Sequence, residues 1–106
     1  MRKLLLSTIV LGALFGSVAV ADDFTGSIKI GLFDSEKKAM QKVTVSMIQA
    51  IEAAKKSIDG QVVKAKLDEE DDYLVYEIKI IANNGKEMKV LVDPITAKVL
   101  KSDEDD

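Results

Sequence analysis

The clearest pattern in the chain is an alternation of apolar and polar residues between Gln61 and Leu100. Its middle part, residues 73–82, is rich in β-branched and aromatic side chains, which are common in strands. Apolar residues recur at a spacing of two in three consecutive segments: Val63, Ala65 and Leu67; Tyr76, Ile78 and Ile80; Met88, Val90 and Val92. The pattern predicts an antiparallel meander with residues 73–82 as its central strand.

The first hairpin is predicted by matching apolar faces, because paired residues of antiparallel strands point to the same side of the sheet. This places Leu67 opposite Leu74 and Val63 opposite Ile78, and residues 69–72 then form a polar loop.

The second hairpin contains Asn84-Gly85, a dipeptide typical of a two-residue turn. That turn would place Lys89 opposite Ile80, within the apolar face. A three-residue loop, with Gly85 in the left-handed position, instead pairs Ile80 with Met88, and we expect this register.

An amphipathic helix is predicted over residues 46–58. Ser46 and Gln49 have the spacing of a capping box, and Asp59-Gly60 is expected to end the helix. The apolar stripe consists of Met47, Ala50, Ile51, Ala54 and Ile58. The predicted fold class is therefore α+β, with one amphipathic helix packed on an antiparallel three- to four-stranded meander sheet.

The N-terminus has the three regions of a secretory signal. Arg2 and Lys3 precede an apolar run, and small residues at positions 19 and 21 predict cleavage after Ala21. The alternative is an uncleaved membrane anchor, but the apolar run is shorter than the roughly 20 residues that a membrane span needs. We expect no stable membrane anchor after signal removal and a periplasmic or secreted location.

The remaining chain is one small domain with flanking segments. Removing 21 of the 106 residues leaves 85, which suits a single domain. Residues 22–43 are expected to be a lead-in segment or an extra strand, with a helical turn capped by Ser35 as a further option. The domain proper is expected at residues 44–101, and it ends with an Asp93-Pro94 turn and a short last strand. Residues 102–106 are expected to form a frayed acidic tail.

Charge and composition exclude several partners and chemistries. After signal removal, 13 lysines face 18 acidic residues and no arginine remains, so nucleic acid and anionic membranes are poor partners. The chain has no histidine and no cysteine, which removes the commonest general base and the thiolate nucleophile. We expect no enzyme, no catalytic residue, no cofactor and no metal site of a known pattern; an enzyme of unfamiliar type is the remaining alternative.

The order of these segments resembles the PepSY domain family. The resemblance covers residues 44–100, through the Ser46-Met-Ile-Gln helix start, Gly60, the acidic loop, Asn84-Gly85 and the stretch from Val90 to Asp93. It implies a helix on an antiparallel sheet, as in secreted bacterial proteins and in the propeptides of thermolysin-like metallopeptidases, and a role in restraining peptidases. Where the family usually has a glycine after the last threonine, this chain has Ala97.

The outward face of the predicted sheet is the candidate partner-binding surface. Within an acidic protein, it interleaves lysines with aliphatic residues and one glutamate, which is expected opposite Lys64. Its members are Lys64, Lys66, Val75, Glu77, Lys79, Lys89 and Leu91. An ordinary solvated sheet face is the alternative, and the two sheet edges are a second candidate for binding an extended peptide.

Two functions from different classes therefore follow. The first is an exported, non-enzymatic PepSY-type module that binds another protein or peptide, with a peptidase as the expected partner. The second is a ligand or divalent-cation sensor using the acidic loop at residues 68–72, although the loop lacks the spacing of the best-known calcium site.

Overall fold

The alternating segments form a single antiparallel sheet beside one main helix. The structure is a computed structural model that describes residues 24–33 and 35–105, so the predicted signal and its cleavage site lie outside the described residues. A 3-10 turn at Ile30–Leu32 precedes helices α1 (Glu36–Met40) and α2 (Met47–Ser57) and strands β1 (Gly60–Glu70), β2 (Tyr73–Ala82), β3 (Glu87–Val92) and β4 (Val99–Glu104). The strand order is β1-β2-β3-β4, which confirms the predicted α+β meander.

Helix α2 begins with the predicted capping box. The Ser46 hydroxyl accepts a hydrogen bond from the Gln49 N–H at 3.1 Å, and the Gln49 side chain accepts one from the Ser46 N–H at 2.8 Å. The end of the helix differs from the prediction, because Ile58 is already extended and its N–H donates to Ala54. Gly60 is therefore needed for another reason, the close approach of β1 to β2.

The core lies between α2 and the face of the sheet that carries Tyr76 and Ile78. Ala50 and Ala54 are fully buried, which lets the helix lie close to the strands. The Tyr76 hydroxyl donates to the Val45 carbonyl at 2.7 Å, and burial raises the pKa of this hydroxyl. None of the described helices has the length and apolar content of a membrane span.

The first hairpin differs from its predicted register by two residues. Leu67 pairs with Tyr76, not with Leu74, and the strands continue to Glu70 and Tyr73. The connection is two residues long: Asp71 and Asp72 have φ of 49° and 72°, as in a type I′ turn.

A bulge in β1 accompanies this register. Pairing shifts between Val62 and Lys64, so Val62 lies opposite Ile80 and packs against the core. Val63, which the alternation had placed in the core, is 52% exposed. Lys64 pairs with Lys79, and the predicted pairing of Lys64 with Glu77 is wrong.

The second hairpin has the predicted register. Ile80 pairs with Met88, Ile78 with Val90 and Tyr76 with Val92. Gly85 has φ of 87°, in the left-handed region, and its N–H donates to the Ala82 carbonyl at 2.8 Å. The bulged three-residue loop is thus confirmed.

The segment before α2 packs on the end of β2. Lys29 forms an isolated bridge with Tyr73, and the Leu74 N–H donates to the Ile28 carbonyl at 2.9 Å. Ile28 and Leu74 form a small second core with Ala39 of α1. The contact is a bridge and not a full strand, because the chain turns into the 3-10 helix immediately after Lys29.

Asp93 organises the turn between β3 and β4. Its buried carboxylate accepts hydrogen bonds from the Ile95 N–H and from the Ser27 hydroxyl. The first of these is the bond between side chain and backbone that the sequence predicts for this turn. The second ties the lead-in segment to the domain.

Ala97 stands in the left-handed region at φ of 63°, where an L-residue is strained. Its side chain also packs against the core, so glycine would lose some contact. We expect Ala97→Gly to raise the free energy of unfolding by about 0.5–1 kcal/mol, because the relief of backbone strain exceeds the lost methyl contact. Urea denaturation measures the change, and an unchanged or lowered stability would contradict the strained turn.

The acidic C-terminus belongs to the sheet. Strand β4 extends to Glu104, and the Asp105 N–H donates to the Glu87 carbonyl at 2.8 Å. The prediction of a frayed tail from residue 102 is therefore wrong for the described residues 102–105. The alternation of β4 places Lys101 opposite Leu91 and Asp103 opposite Lys89 on one face of the sheet.

Candidate functional site on the outer face of the sheet

The outer face is the side of the sheet that points away from α2. Two rows of paired residues cross it, Lys66–Glu77–Leu91–Lys101 and Lys64–Lys79–Lys89–Asp103. Asp68 and Glu70 continue the face along β1, and Val75 continues it along β2. All seven candidate partner-binding residues lie on this face, but they differ in accessibility.

Three of the seven candidates are buried. Val75, Glu77 and Leu91 have exposed fractions of 0%, 5% and 1%. The expectation of an open face that presents these residues to a partner is therefore wrong at these three positions. By register, charged residues surround them, and the long stems of lysines can shield apolar neighbours while their ammonium groups remain in water.

The outer-face lysines of the central strands are already paired with carboxylates. Lys79 Nζ lies 2.8 Å from Asp105 and 3.9 Å from Glu87, and Lys89 Nζ lies 3.8 Å from Glu70. Such pairs neutralise the positive charge that the sequence suggested for this face. The paired lysines are consequently weaker candidates for attracting an acidic partner.

The pair of Lys79 and Asp105 fixes the C-terminal strand to the centre of the sheet. Its hydrogen bond raises the pKa of Lys79 and lowers the pKa of Asp105. Because the carboxyl pKa is lowered on folding, the pair stabilises the fold above the ordinary carboxyl pKa. That contribution is lost as the pH falls through the lowered value.

Lys64 is the exposed member of the candidate surface, and its neighbour Val63, which the sequence placed in the core, is exposed as well. Lys64 forms no ion pair or side-chain hydrogen bond with any described residue. They lie at the bulge of β1, which is an edge strand because, among residues 24–33 and 35–105, it pairs along its length with β2 alone. The outer edge of β1, to which no strand of the described part of the chain is paired, places backbone groups beside the Lys64 ammonium group.

A cluster of carboxylates occupies the other end of the outer face. Oxygen atoms of Asp68, Glu70 and Glu77 lie within 4.8 Å of one another. Lys66 Nζ lies 3.1 Å from Asp68, and this hydrogen bond, aided by the charge of Glu77, raises the pKa of Lys66. The pKa of Asp68 is lowered, first by the Glu69 N–H and then by Lys66.

The cluster could not be predicted from the sequence, because the predicted register of the first hairpin was wrong by two residues. Asp68 and Glu70 share the alternation of Lys64 and Lys66, so their common face could be predicted. The expected loop at residues 69–72, however, ended the strand too early to bring Glu70 towards β2.

Comparison with known proteins assigns the family. The family model described as "Peptidase propeptide and YPEB domain", PepSY, matches residues 44–103, more than half of the chain. The chain belongs to the PepSY family. PepSY domains are associated with peptidases as propeptide or regulatory modules, are generally non-catalytic and are typically extracellular or periplasmic.

One relative of this PepSY protein is the "Uncharacterized protein YkoJ" of Bacillus subtilis (strain 168). It is 31% identical over 78 residues, which cover 74% of this chain and 46% of the relative. The aligned region thus spans about half the length of that protein. No solved structure matches the chain significantly.

Proposed function

We propose that this protein is an exported, non-enzymatic PepSY module that binds a peptidase and restrains its activity. The observation that carries the proposal is membership of a family associated with peptidases. The absence of histidine and cysteine from the whole sequence supports a binding role over a catalytic one. The apolar N-terminal run supports export, with residues 1–21 removed as a signal peptide.

The edge of β1 is the proposed contact surface. An extended peptide can add to a free strand edge through backbone hydrogen bonds, while exposed side chains provide selectivity. Val63 supplies an apolar contact at this edge, and Lys64 supplies a positive charge that no carboxylate of the described residues pairs with, whereas Val75, Glu77 and Leu91 are buried. We therefore propose that the partner presents an extended segment with an acidic side chain near Lys64.

Inhibition assays test the peptidase proposal. The purified protein would be incubated with extracytoplasmic peptidases, including thermolysin-like metallopeptidases, and both residual activity and co-purification would be measured. We expect a stable complex and a dose-dependent loss of activity with at least one peptidase. The absence of both with all peptidases tested would contradict the proposal.

A matched pair of double variants tests the contact surface. Val63→Asp with Lys64→Glu should weaken the complex by at least about tenfold, because it places two negative charges at the proposed contact. Ile48→Asp with Lys98→Glu makes the same change in charge, again at one aliphatic residue and one lysine, at two exposed positions outside β1 and should leave the affinity unchanged. Equal weakening by both pairs would place the contact elsewhere.

A further inference from the structure

We propose that Asp68, Glu70 and Glu77 bind a calcium ion on the outer face of the sheet. The site does not depend on peptidase binding. It also differs from the acidic loop at residues 68–72, because it uses only two residues of that loop and a third from outside it. Asp71 and Asp72 of the loop form the tight turn and are not among the ligands. The third ligand, Glu77, comes from the neighbouring strand β2.

The spacing of the three carboxylates suits calcium. Calcium binds oxygen ligands at about 2.3–2.6 Å, so two ligands on opposite sides of the ion are separated by about 4.8 Å. The oxygens of Asp68, Glu70 and Glu77 all lie within 4.8 Å of one another, so their common centre is at most about 2.8 Å from each and small side-chain rotations bring all three within reach of one calcium ion. Magnesium requires shorter distances of about 2.0–2.1 Å and near-ideal octahedral geometry, and it gives up its own waters reluctantly, so three carboxylates with this spacing suit it less well.

The burial of Glu77 is the second and stronger observation. Glu77 is only 5% exposed, yet its carboxylate makes no hydrogen bond or ion pair with any described residue. A buried carboxylate without a hydrogen bond or ion pair is costly, because it loses hydration and the charges of Lys66 and Lys79 act on it only from beyond ion-pair distance. A divalent cation between Glu77 and the two carboxylates of β1 would supply the missing partner.

Two lysines pair with the carboxylates that would bind calcium, so they compete with the ion. Lys66 lies 3.1 Å from Asp68, and Lys89 lies 3.8 Å from Glu70. The Lys66 side chain is 42% exposed, so its ammonium group can move into water when the ion binds. The competition limits the expected affinity to a dissociation constant of about 10⁻⁴–10⁻³ M, in the range of extracellular calcium modules.

Thermal unfolding of the purified protein in calcium, after removal of bound metal with a chelator, tests the site. At free calcium ten times the dissociation constant, the Tm should rise by about 6–11 °C. Magnesium at the same concentration and ionic strength should give a clearly smaller rise. If the Tm did not rise with calcium up to about 20 mM, which is 20-fold above the highest expected dissociation constant, or if it rose equally with magnesium, the proposal would be overturned.

Two variants locate the ion. Glu77→Gln preserves the shape of the side chain, and the calcium-dependent rise should fall below about 3 °C at the same concentration. Glu69→Gln removes an exposed charge of β1 that lies between Asp68 and Glu70 but outside the cluster, and it should keep the full rise. A full rise in Glu77→Gln, or an equal loss in both variants, would contradict binding by the cluster.

Lys66→Met provides a gain-of-affinity test that does not depend on the stability of the glutamate variant. Because it removes the ammonium group that competes for Asp68, calcium should bind at least about threefold more tightly. Calorimetric titration measures this change. An unchanged or weaker affinity would show that the ion does not use Asp68, and would overturn the three-residue site.

Discussion

Gly60→Ala should destabilise the domain by about 3 kcal/mol. A methyl group at this position would overlap the Ile81 carbonyl oxygen and would lie 2.9 Å from the Ala82 Cα. These are backbone atoms of β2, so they cannot move aside as a flexible side chain could. The start of β1 would have to separate from β2, with loss of their pairing. Urea denaturation measures the change in the free energy of unfolding.

Gly31→Ala is the matched control for this prediction. An added methyl group at Gly31 meets no atom within 4 Å, and the residue lies in the short 3-10 turn. Its substitution should change the stability by less than about 0.5 kcal/mol. If Gly60→Ala were as mild as Gly31→Ala, the close approach of the two strands would be incorrect.

Ile78→Ala should lower the free energy of unfolding by about 3–4 kcal/mol. Ile78 is fully buried at the centre of the inner face of the sheet, in the cluster that includes Ala50 and Ala54 of α2. Truncation removes favourable burial and leaves a cavity that the close-packed helix cannot fill. In a domain of this size, such a loss is a large share of the total stability.

Ile48→Ala makes the same chemical change on the exposed side of α2. Ile48 is 69% exposed, so its truncation should cost less than about 0.5 kcal/mol. The difference between the two variants, measured by chemical denaturation, reports which face of the molecule is the core. Similar losses in both would contradict the packing of α2 on the side of the sheet that carries Ile78.

The elements that could be predicted are those in which several local rules agree. Helix α2 has an apolar stripe, and the Ser46–Gln49 capping box marks its first turn. The second hairpin was predictable because only one loop length placed apolar residues opposite each other, and Gly85 can adopt the left-handed conformation which that loop requires.

The first hairpin shows where alternation fails. Shifting a register by two residues keeps every side chain on the same face, so the apolar pattern cannot distinguish the two pairings. The turn also uses Asp71 and Asp72 in the left-handed region, which the sequence signals weakly compared with Asn-Gly. The bulge near Val63 then exchanges Val63 for Val62 in the core, and strict alternation cannot reveal it.

The candidate site could be predicted only in part for the same reason. The common face of the lysines and Glu77 follows from alternation alone. Their ion pairs depend on which residues lie opposite or diagonal to each other, and on the ordered C-terminal residues that bring Asp105 to Lys79. The convergence of Asp68, Glu70 and Glu77 likewise depends on the register and on the extension of both strands to the tight turn.

Cysteine cross-linking is the most direct test of the register on which the core, the outer face and the carboxylate cluster all depend. The chain has no cysteine, so an engineered pair reports on its own positions alone. Lys66 pairs with Glu77, whereas the alternative register would pair it with Val75. Directly opposite residues lie within disulfide reach, while diagonal ones are too far apart. Under mild oxidation, Lys66→Cys with Glu77→Cys should cross-link and Lys66→Cys with Val75→Cys should not; the reverse result would contradict the account.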